Sequence, residues 1–397
     1  MSKKILIISQ NFYPELGSAA NRIKILYSQL KKHKYEPYVL TTEPSYPNKE
    51  LFKDKNYYDD SLLNQDEGEH ILRLKMSLSK QHKSMIVRFL YYIEQMFRVR
   101  KFIDKNKDQF DFIYVTSPNI FLPWATLFFK GKSKRKYILE IRDLWPDSVA
   151  SLKQFKFNKI MPILKYLEKK MYRNANKIVV NNESFKKEIY KSVSKDKAIF
   201  NLPNALTIKE QIHKTKLKQF KVIYTGNIGY AQDVNYLIEI AKELNARKIH
   251  MTAIVYGVQA PLFREAVIKN NLSYIHLVPP MKRDACLNEI SQHHLALSIL
   301  EENEVFYNVL PGKIVDAIGV GTPVVTNLDG YTKHLIETYE TGYANSNYKV
   351  DDIIKIISHL KSNREQLDRL TNNTENLTKD FFTWENNIKA LIDFIEE

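Results

Sequence analysis

The chain has 397 residues, 44% of them hydrophobic, with one cysteine, Cys286. That length allows two domains with their own cores, the composition excludes a disordered chain, and a lone thiol excludes both an internal disulfide and a four-cysteine metal site, as in a reducing compartment. The net charge of +15 is uneven: residues 1–200 carry 39 Lys/Arg against 21 Asp/Glu, residues 201–397 carry 21 against 24, and a basic half expects a polyanionic partner, either a nucleic acid or an anionic membrane face.

The first apolar run, residues 5–8, is too short for a signal peptide. The longest, residues 120–129, contains a proline and falls well short of the roughly 20 residues of a membrane span. A soluble, cytosolic protein is expected. In chain order, β-branched runs predict strands at 4–9, 37–42, 112–117, 137–143, 177–182 and 198–204, then at 220–227, 251–257, 274–280, 295–300 and 322–327. Amphipathic stretches at 19–33, 231–246, 260–270, 282–293 and 351–373 predict helices between them. Near-continuous apolar strands alternating with helices describe α/β folding with parallel sheets, here two doubly wound, Rossmann-like domains. The boundary is read after residue 204, giving domains 1–204 and 205–379, and residues 380–397 form a separate C-terminal helix. Ligands of such sheets gather beyond the carboxyl ends of the strands, so two domains facing each other place the site in the cleft between them.

Five stretches carry chemistry. In "LPGKIVDAIGVGTPVVTN" (310–327) a helix begins near Gly312, after Leu310 and Pro311. Its free amides attract phosphate, Lys313 adds a full positive charge, and Asp316, three residues on, shares the lysine's face and can accept a ribose diol. The set describes a nucleoside diphosphate site, and the plain alternative is a solvated Lys–Asp pair. In "YTGNIGYAQDV" (224–234), Gly226, Asn227 and Gly229 close a strand before a helix, where glycine permits positive φ and close approach of a ligand. A tight turn serves equally well. In "SQNFYPELGSAANR" (9–22), Gly17 precedes a helix and Ser18 is the expected N-cap. In "EIRDLWPDS" (140–148), Arg142 and Asp143 follow a strand and Trp145 offers a sugar-stacking face, or Arg142 and Asp143 pair to close the loop. In "LEENEVFYN" (300–308), Glu301, Glu302 and Glu304 precede the phosphate helix, and one of them can reach a sugar hydroxyl.

Taken together and in this order, these motifs resemble family-4 glycosyltransferases of the GT-B fold, and in particular bacterial enzymes that transfer N-acetylfucosamine-type amino sugars in capsule and O-antigen assembly. The resemblance spans nearly the whole chain. It implies a nucleotide-sugar, expected to be UDP-linked, held mainly by the second domain, and metal-independent transfer with retention to a lipid-diphosphate-linked saccharide. It also implies a C-terminal helix near Trp384 that crosses back to the first domain. Carried over, Asp316 takes the place of the second glutamate of the family's acidic pair. The position of the first is Asn308, so the sugar-contacting carboxylate is absent or moved to Glu302 or Glu304. The basic residue usual after the glycines is missing, Gln232 stands nearby, and Lys313 becomes the main diphosphate cation. Base recognition falls near Tyr256 and from Pro279 to Met281. Lys313, Asp143 and Glu304 are the expected catalytic set.

Residues 80–107 and 153–173 are basic, with aromatic and aliphatic residues at helical spacing: Met85, Phe89, Tyr92, Ile93, Met96 and Ile103 in the first. Such helices lie on anionic lipid, or else their apolar faces are core. With the resemblance, the expectation is a cytoplasmic enzyme held peripherally at the inner membrane face, with no nucleic acid partner and no metal. Two other readings are a nucleotide-sugar 2-epimerase of the same fold and a basic nucleic-acid-binding protein.

Overall fold

The computed structural model describes residues 2–106, 108–131, 135–147, 159–303, 306 and 309–397. Its apolar runs form strands buried on both faces, as parallel sheets covered by helices require. In unit Met1–Pro203, which also takes in Glu385–Glu397, the strands are β1 (Lys4–Ile8), β2 (Glu36–Thr42), β3 (Ile71–Leu74), β4 (Phe112–Thr116), β5 (Lys136–Ile141), β6 (Lys177–Val180) and β7 (Ile199–Asn201). In unit Asn204–Trp384 they are β8 (Lys221–Asn227), β9 (His250–Tyr256), β10 (Ile275–Val278), β11 (Leu295–Ser298), β12 (Val324–Thr326) and β13 (Gly342–Ala344). The sheet orders are β3-β2-β1-β4-β5-β6-β7 and β10-β9-β8-β11-β12-β13, and the registered pairs are parallel. Each is a doubly wound, Rossmann-like α/β sheet whose strand order reverses once, between β1 and β4 and between β8 and β11. Ligand crevices of open parallel sheets open at that reversal.

Strands β3 and β13 were not expected. The first, "ILRL", has four residues and the second, "GYA", three; each lies at a sheet edge, where pairing on one side demands little apolar sequence. The stretch 351–373 is two helices, Val350–Ser362 and Arg364–Phe381, because the Asn363 side chain caps the second by accepting from the Gln366 amide. Residues 380–383 continue that helix and the turn after it. The last helix, Trp384–Glu396, starts at a buried tryptophan whose amide donates to Leu206 O at 2.9 Å. From Glu385 on it belongs to the first unit: Glu396 takes Lys3 at 2.7 Å and the Tyr35 hydroxyl at 2.6 Å, and Phe394 stacks on Phe200.

One buried ion pair ties the first unit together. Arg22, on helix Ser18–Lys32, donates through Nε to Glu140 Oε1 of β5 at 2.9 Å, and through its two other nitrogens to Pro203 O and Leu202 O at 3.1 and 2.8 Å. Tyr114 of β4 donates to the same carboxylate oxygen at 2.7 Å. Both charged side chains are at most 1% exposed. Burial alone would raise the Glu140 pKa, but Arg22, Arg142 and the Thr116 and Tyr114 hydroxyls hold it below the ordinary carboxylate value. Replacing Glu140 with Ala strands a buried guanidinium, so Glu140→Ala is expected to cost about 3–5 kcal/mol. Urea unfolding checks this, and a loss under about 1 kcal/mol would show the pair to be dispensable.

Candidate functional site

In the second unit, strand alternation puts Tyr224 and Gly226 on one face of β8. Gly226 takes φ +103°, and a Cβ there would lie 3.9 Å from the Lys313 Cε. The bare strand end therefore lies against the lysine side chain. Lys313 is the second residue of helix Gly312–Gly319, whose Ile314, Val315, Ala317 and Ile318 are buried. Pro311 is the N-cap, in extended conformation, and among the described residues no side chain caps the helix. The first amides are thus left to solvent or to an anion. The lysine does not turn to Asp316. Its Nζ lies 2.9 Å from the Tyr224 hydroxyl and 4.2 Å from the centroid of that ring. Burial without a carboxylate partner among the described residues lowers its pKa to about 7.

Asp316 faces the other way. Arg283 Nη2 donates to its Oδ1 at 2.9 Å, and Arg283 also holds Glu210. The solvated Lys–Asp pair is therefore not what forms. One guanidinium ties helix Arg283–Gln292, the phosphate-type helix and the turn Ile208–Glu210. Among the described residues no other group binds Asp316, and 26% of its side chain is exposed. That leaves acceptor capacity for a diol.

The glycine loop differs from its expectation. Asn227 fills the space that two missing side chains leave: a Cβ on Gly229 would meet its Nδ2 at 2.7 Å, and one on Gly257, at φ +105°, its Oδ1 at 2.0 Å. The Gly229 amide donates to Gln232 Oε1 at 2.7 Å. So Gln232 and Asn227 build the loop, and only Gly226 keeps an open face. The Tyr256 carbonyl at the end of β9 accepts from the Ile228 amide at 2.7 Å. Pro279 is exposed and Met281 partly so, just past β10. Leu310 is buried. Asn327 joins the ends of β11 and β12 by exchanging two hydrogen bonds with Leu300, at 3.0 and 2.7 Å. Glu302 is exposed. Glu304 and Asn308 lie outside the described residues, as do 153–158 of the second basic stretch. Sequence reading missed Tyr224, Glu210, Arg283 and Asn327; only the strand alternation pointing from Gly226 back to Tyr224 signalled any of them.

In the first unit, Gly17 rather than Ser18 is the N-cap: its carbonyl accepts from Asn21 at 3.1 Å, its φ is +110°, and Ser18 is the first helical residue. A side chain at position 17 would strain that backbone. Arg142 and Asp143 follow β5, and the Arg142 amide donates to Ser117 Oγ, past β4, at 3.0 Å. The two do not form the ion pair that would close the loop. The Arg142 Nε is buried without a hydrogen-bond partner among the described residues. Burial pulls the Arg142 pKa down, against the attraction of Glu140. Burial likewise lifts Asp143 to about 6, with Arg142 opposing. Trp145 packs edge-on to Trp124 at 5.7 Å, so one side of its ring is engaged. Elsewhere in this unit Lys80 and Glu15 pair at 3.0 Å with almost no exposure.

Residues 207–377 match the family model of glycosyl transferases group 1. No curated protein matches the chain. Among solved structures, sucrose-phosphate synthase from Thermosynechococcus elongatus is similar at 14% identity and a TM-score of 0.76, covering 99% of this chain and 98% of that one. HepE from Anabaena in complex with UDP-glucose has 14% identity and a TM-score of 0.70 over 99% of both chains. WaaG, a glycosyltransferase involved in lipopolysaccharide biosynthesis, has 10% identity and a TM-score of 0.67, covering 98% and 99%. At these identities the likeness shows the fold, and the two Rossmann-like units are those of GT-B structures.

The burial of Asp143 can be tested by its pH dependence. A carboxyl whose folded pKa is raised favours the folded state when protonated, so it contributes least above that pKa. The contribution is present below the unfolded value near 4 and is lost as pH rises to about 6. Asp143→Asn, neutral at all pH, is therefore expected to raise the melting temperature at neutral pH and to change it little near pH 4. A variant less stable at neutral pH would mean that the carboxylate is held by bonds, not merely buried.

Proposed function

We propose that the chain is a glycosyltransferase that passes a sugar from a nucleoside diphosphate, UDP by preference, to a hydroxyl of a lipid-diphosphate-linked saccharide. The single observation that carries this reading is Lys313: a buried amine without a carboxylate partner among the described residues, at a helix start with no side-chain cap among them, beside a bare strand end. The group 1 match over this unit and the UDP-glucose bound by HepE support it. The amino ends of helices attract phosphate through free amides and the helix dipole.

In the step we assign, the acceptor oxygen bonds to the anomeric carbon as the bond from that carbon to the diphosphate breaks. The acceptor proton passes to the departing diphosphate oxygen on the same face, so configuration is retained. Negative charge grows on the diphosphate, and Lys313 with the amides at the helix start stabilises it, the kind of preorganised electrostatics that dominates many rate enhancements. We assign the counter-charge to this lysine rather than to a metal. Asp316 takes the ribose diol through the oxygen that Arg283 leaves free. Asp143 and Arg142 position the saccharide, and the sugar we favour is an N-acetylated amino sugar of a surface or capsular polysaccharide.

A peripheral place at the cytoplasmic membrane face fits the first unit's surface. Helix Met85–Lys105 buries Tyr91, Gln95, Val99 and Ile103, so only the last of the residues expected on one stripe is core. Ile86, Phe89, Leu90 and Phe97 are 46–71% exposed, with Lys83, Arg88 and Lys101 also exposed. Helix Met161–Asn174 exposes Ile163 and Tyr166 beside Lys170 and Arg173. No helix among the described residues is long and apolar enough to cross a membrane. An apolar stripe rimmed by lysines and arginines suits the interface of an anionic bilayer, at about 1 kcal/mol for each basic residue near the surface.

Lys313→Ala is expected to remain folded and to lose turnover by at least about a hundredfold, in line with removal of one charge-stabilising donor. Measured kinetics near wild type would remove the lysine from the chemistry. Incubating the wild type with donor alone separates transfer from epimerisation, which needs no acceptor. For the surface, Phe89→Ser with Phe97→Ser is expected to weaken sedimentation with phosphatidylglycerol vesicles about tenfold or more. Equal binding to phosphatidylcholine vesicles, or stronger retention by DNA, would count against the membrane.

A further inference from the structure

Lys313 meets a phenol where a carboxylate would be the ordinary partner of a buried amine. Tyr224 is fully buried and rooted in β8, next to the strand reversal. Its hydroxyl lies 2.9 Å from the Lys313 Nζ, while the ring lies under the same nitrogen at 4.2 Å. The partner matters chemically. A carboxylate would neutralise the ammonium and compete with an incoming diphosphate. A purely apolar neighbour would leave the nitrogen without a hydrogen bond when buried, at a cost comparable to any orphaned polar group. A hydroxyl accepts from an ammonium and donates to a neutral amine, so it holds the nitrogen in both states, and more strongly in the charged one, where the bond is charge-assisted. The ring face adds cation–π attraction to the charged form.

From this geometry we propose that Tyr224 is the positioning residue for Lys313, keeping its amine at the helix start and open to the donor's diphosphate, so that donor binding takes up a proton there. This rests on the nucleoside-diphosphate reading above. The sign follows from the chemistry. The free lysine, with its pKa lowered to about 7, is largely neutral at higher pH, and a bound diphosphate favours the ammonium. Affinity is therefore full below the free pKa and falls as pH rises above it, by up to about tenfold per pH unit.

The test measures the dissociation constant of UDP between about pH 7 and pH 9 for wild type, Lys313→Gln and Tyr224→Phe, each checked for folding by thermal melting. Calorimetry in two buffers of different ionisation enthalpy reads the proton taken up. The wild type should show the slope and the uptake, and Lys313→Gln neither. Tyr224→Phe keeps the ring and the packing. It should bind UDP about tenfold more weakly near pH 8, with its break at lower pH, because one hydrogen bond to the charged form is lost. A Tyr224→Phe curve superimposed on the wild type would overturn the role of Tyr224 while leaving the UDP site standing. Should the wild type fail to bind UDP, the functional reading fails instead. Tyr224 is then decided without nucleotide, by titrating the 13C-methylated Lys313 in both proteins by NMR: a lower lysine pKa in Tyr224→Phe supports the positioning role, and an unchanged one ends it.

Discussion

A parallel sheet sends the carboxyl end of every strand to one edge, and this single constraint organises the molecule. Both sheets obey it and each reverses its strand order once. Polar loops that are scattered in sequence therefore meet beside a dry sheet interior. Whatever charge is delivered to that edge must either find a partner or be kept for a ligand, because an orphaned charge in such surroundings is costly.

The two units resolve that demand in opposite ways. In the first, Arg22 and Glu140 satisfy each other, with Tyr114 and two carbonyls completing the set; the result is a structural knot. In the second, Arg283 gathers the available acids, Glu210 and Asp316, and Lys313 is left with a phenol. Carboxylates are thus gathered at Arg283 and kept away from Lys313, which fits the ligand-binding role proposed for that lysine. Asn227 shows the same division among the glycines, since it occupies the space at Gly229 and Gly257 and leaves Gly226 open.

The exposed apolar stripe on helix Met85–Lys105 adds a second kind of surface. Its opposite face packs on the first unit's core through Val99 and Ile103, so one helix has a core face and an exposed apolar face. Periodicity alone could not separate these roles, since apolar residues on both faces give one broad pattern. Only the observed burial of Tyr91, Gln95 and Val99 assigns the faces.

The sequence by itself determined the alternation of strand and helix, the two-unit organisation, the helix opening at Gly312 and the cation on it, because these depend on local periodicity and on residue types at short spacing. The edge strands β3 and β13 and the break at Asn363 were beyond its reach, for short edges carry little pattern and a cap is decided by a single side chain. What only the tertiary structure decided is partnership. Lys313 and Asp316 are three residues apart and turn to different neighbours, Tyr224 and Arg283, which lie 89 and 33 residues away in the chain. Arg142 and Asp143 are adjacent and do not pair. Ion pairs and hydrogen bonds are settled by distances of a few ångströms in space, and strand order, which no local pattern encodes, sets those distances.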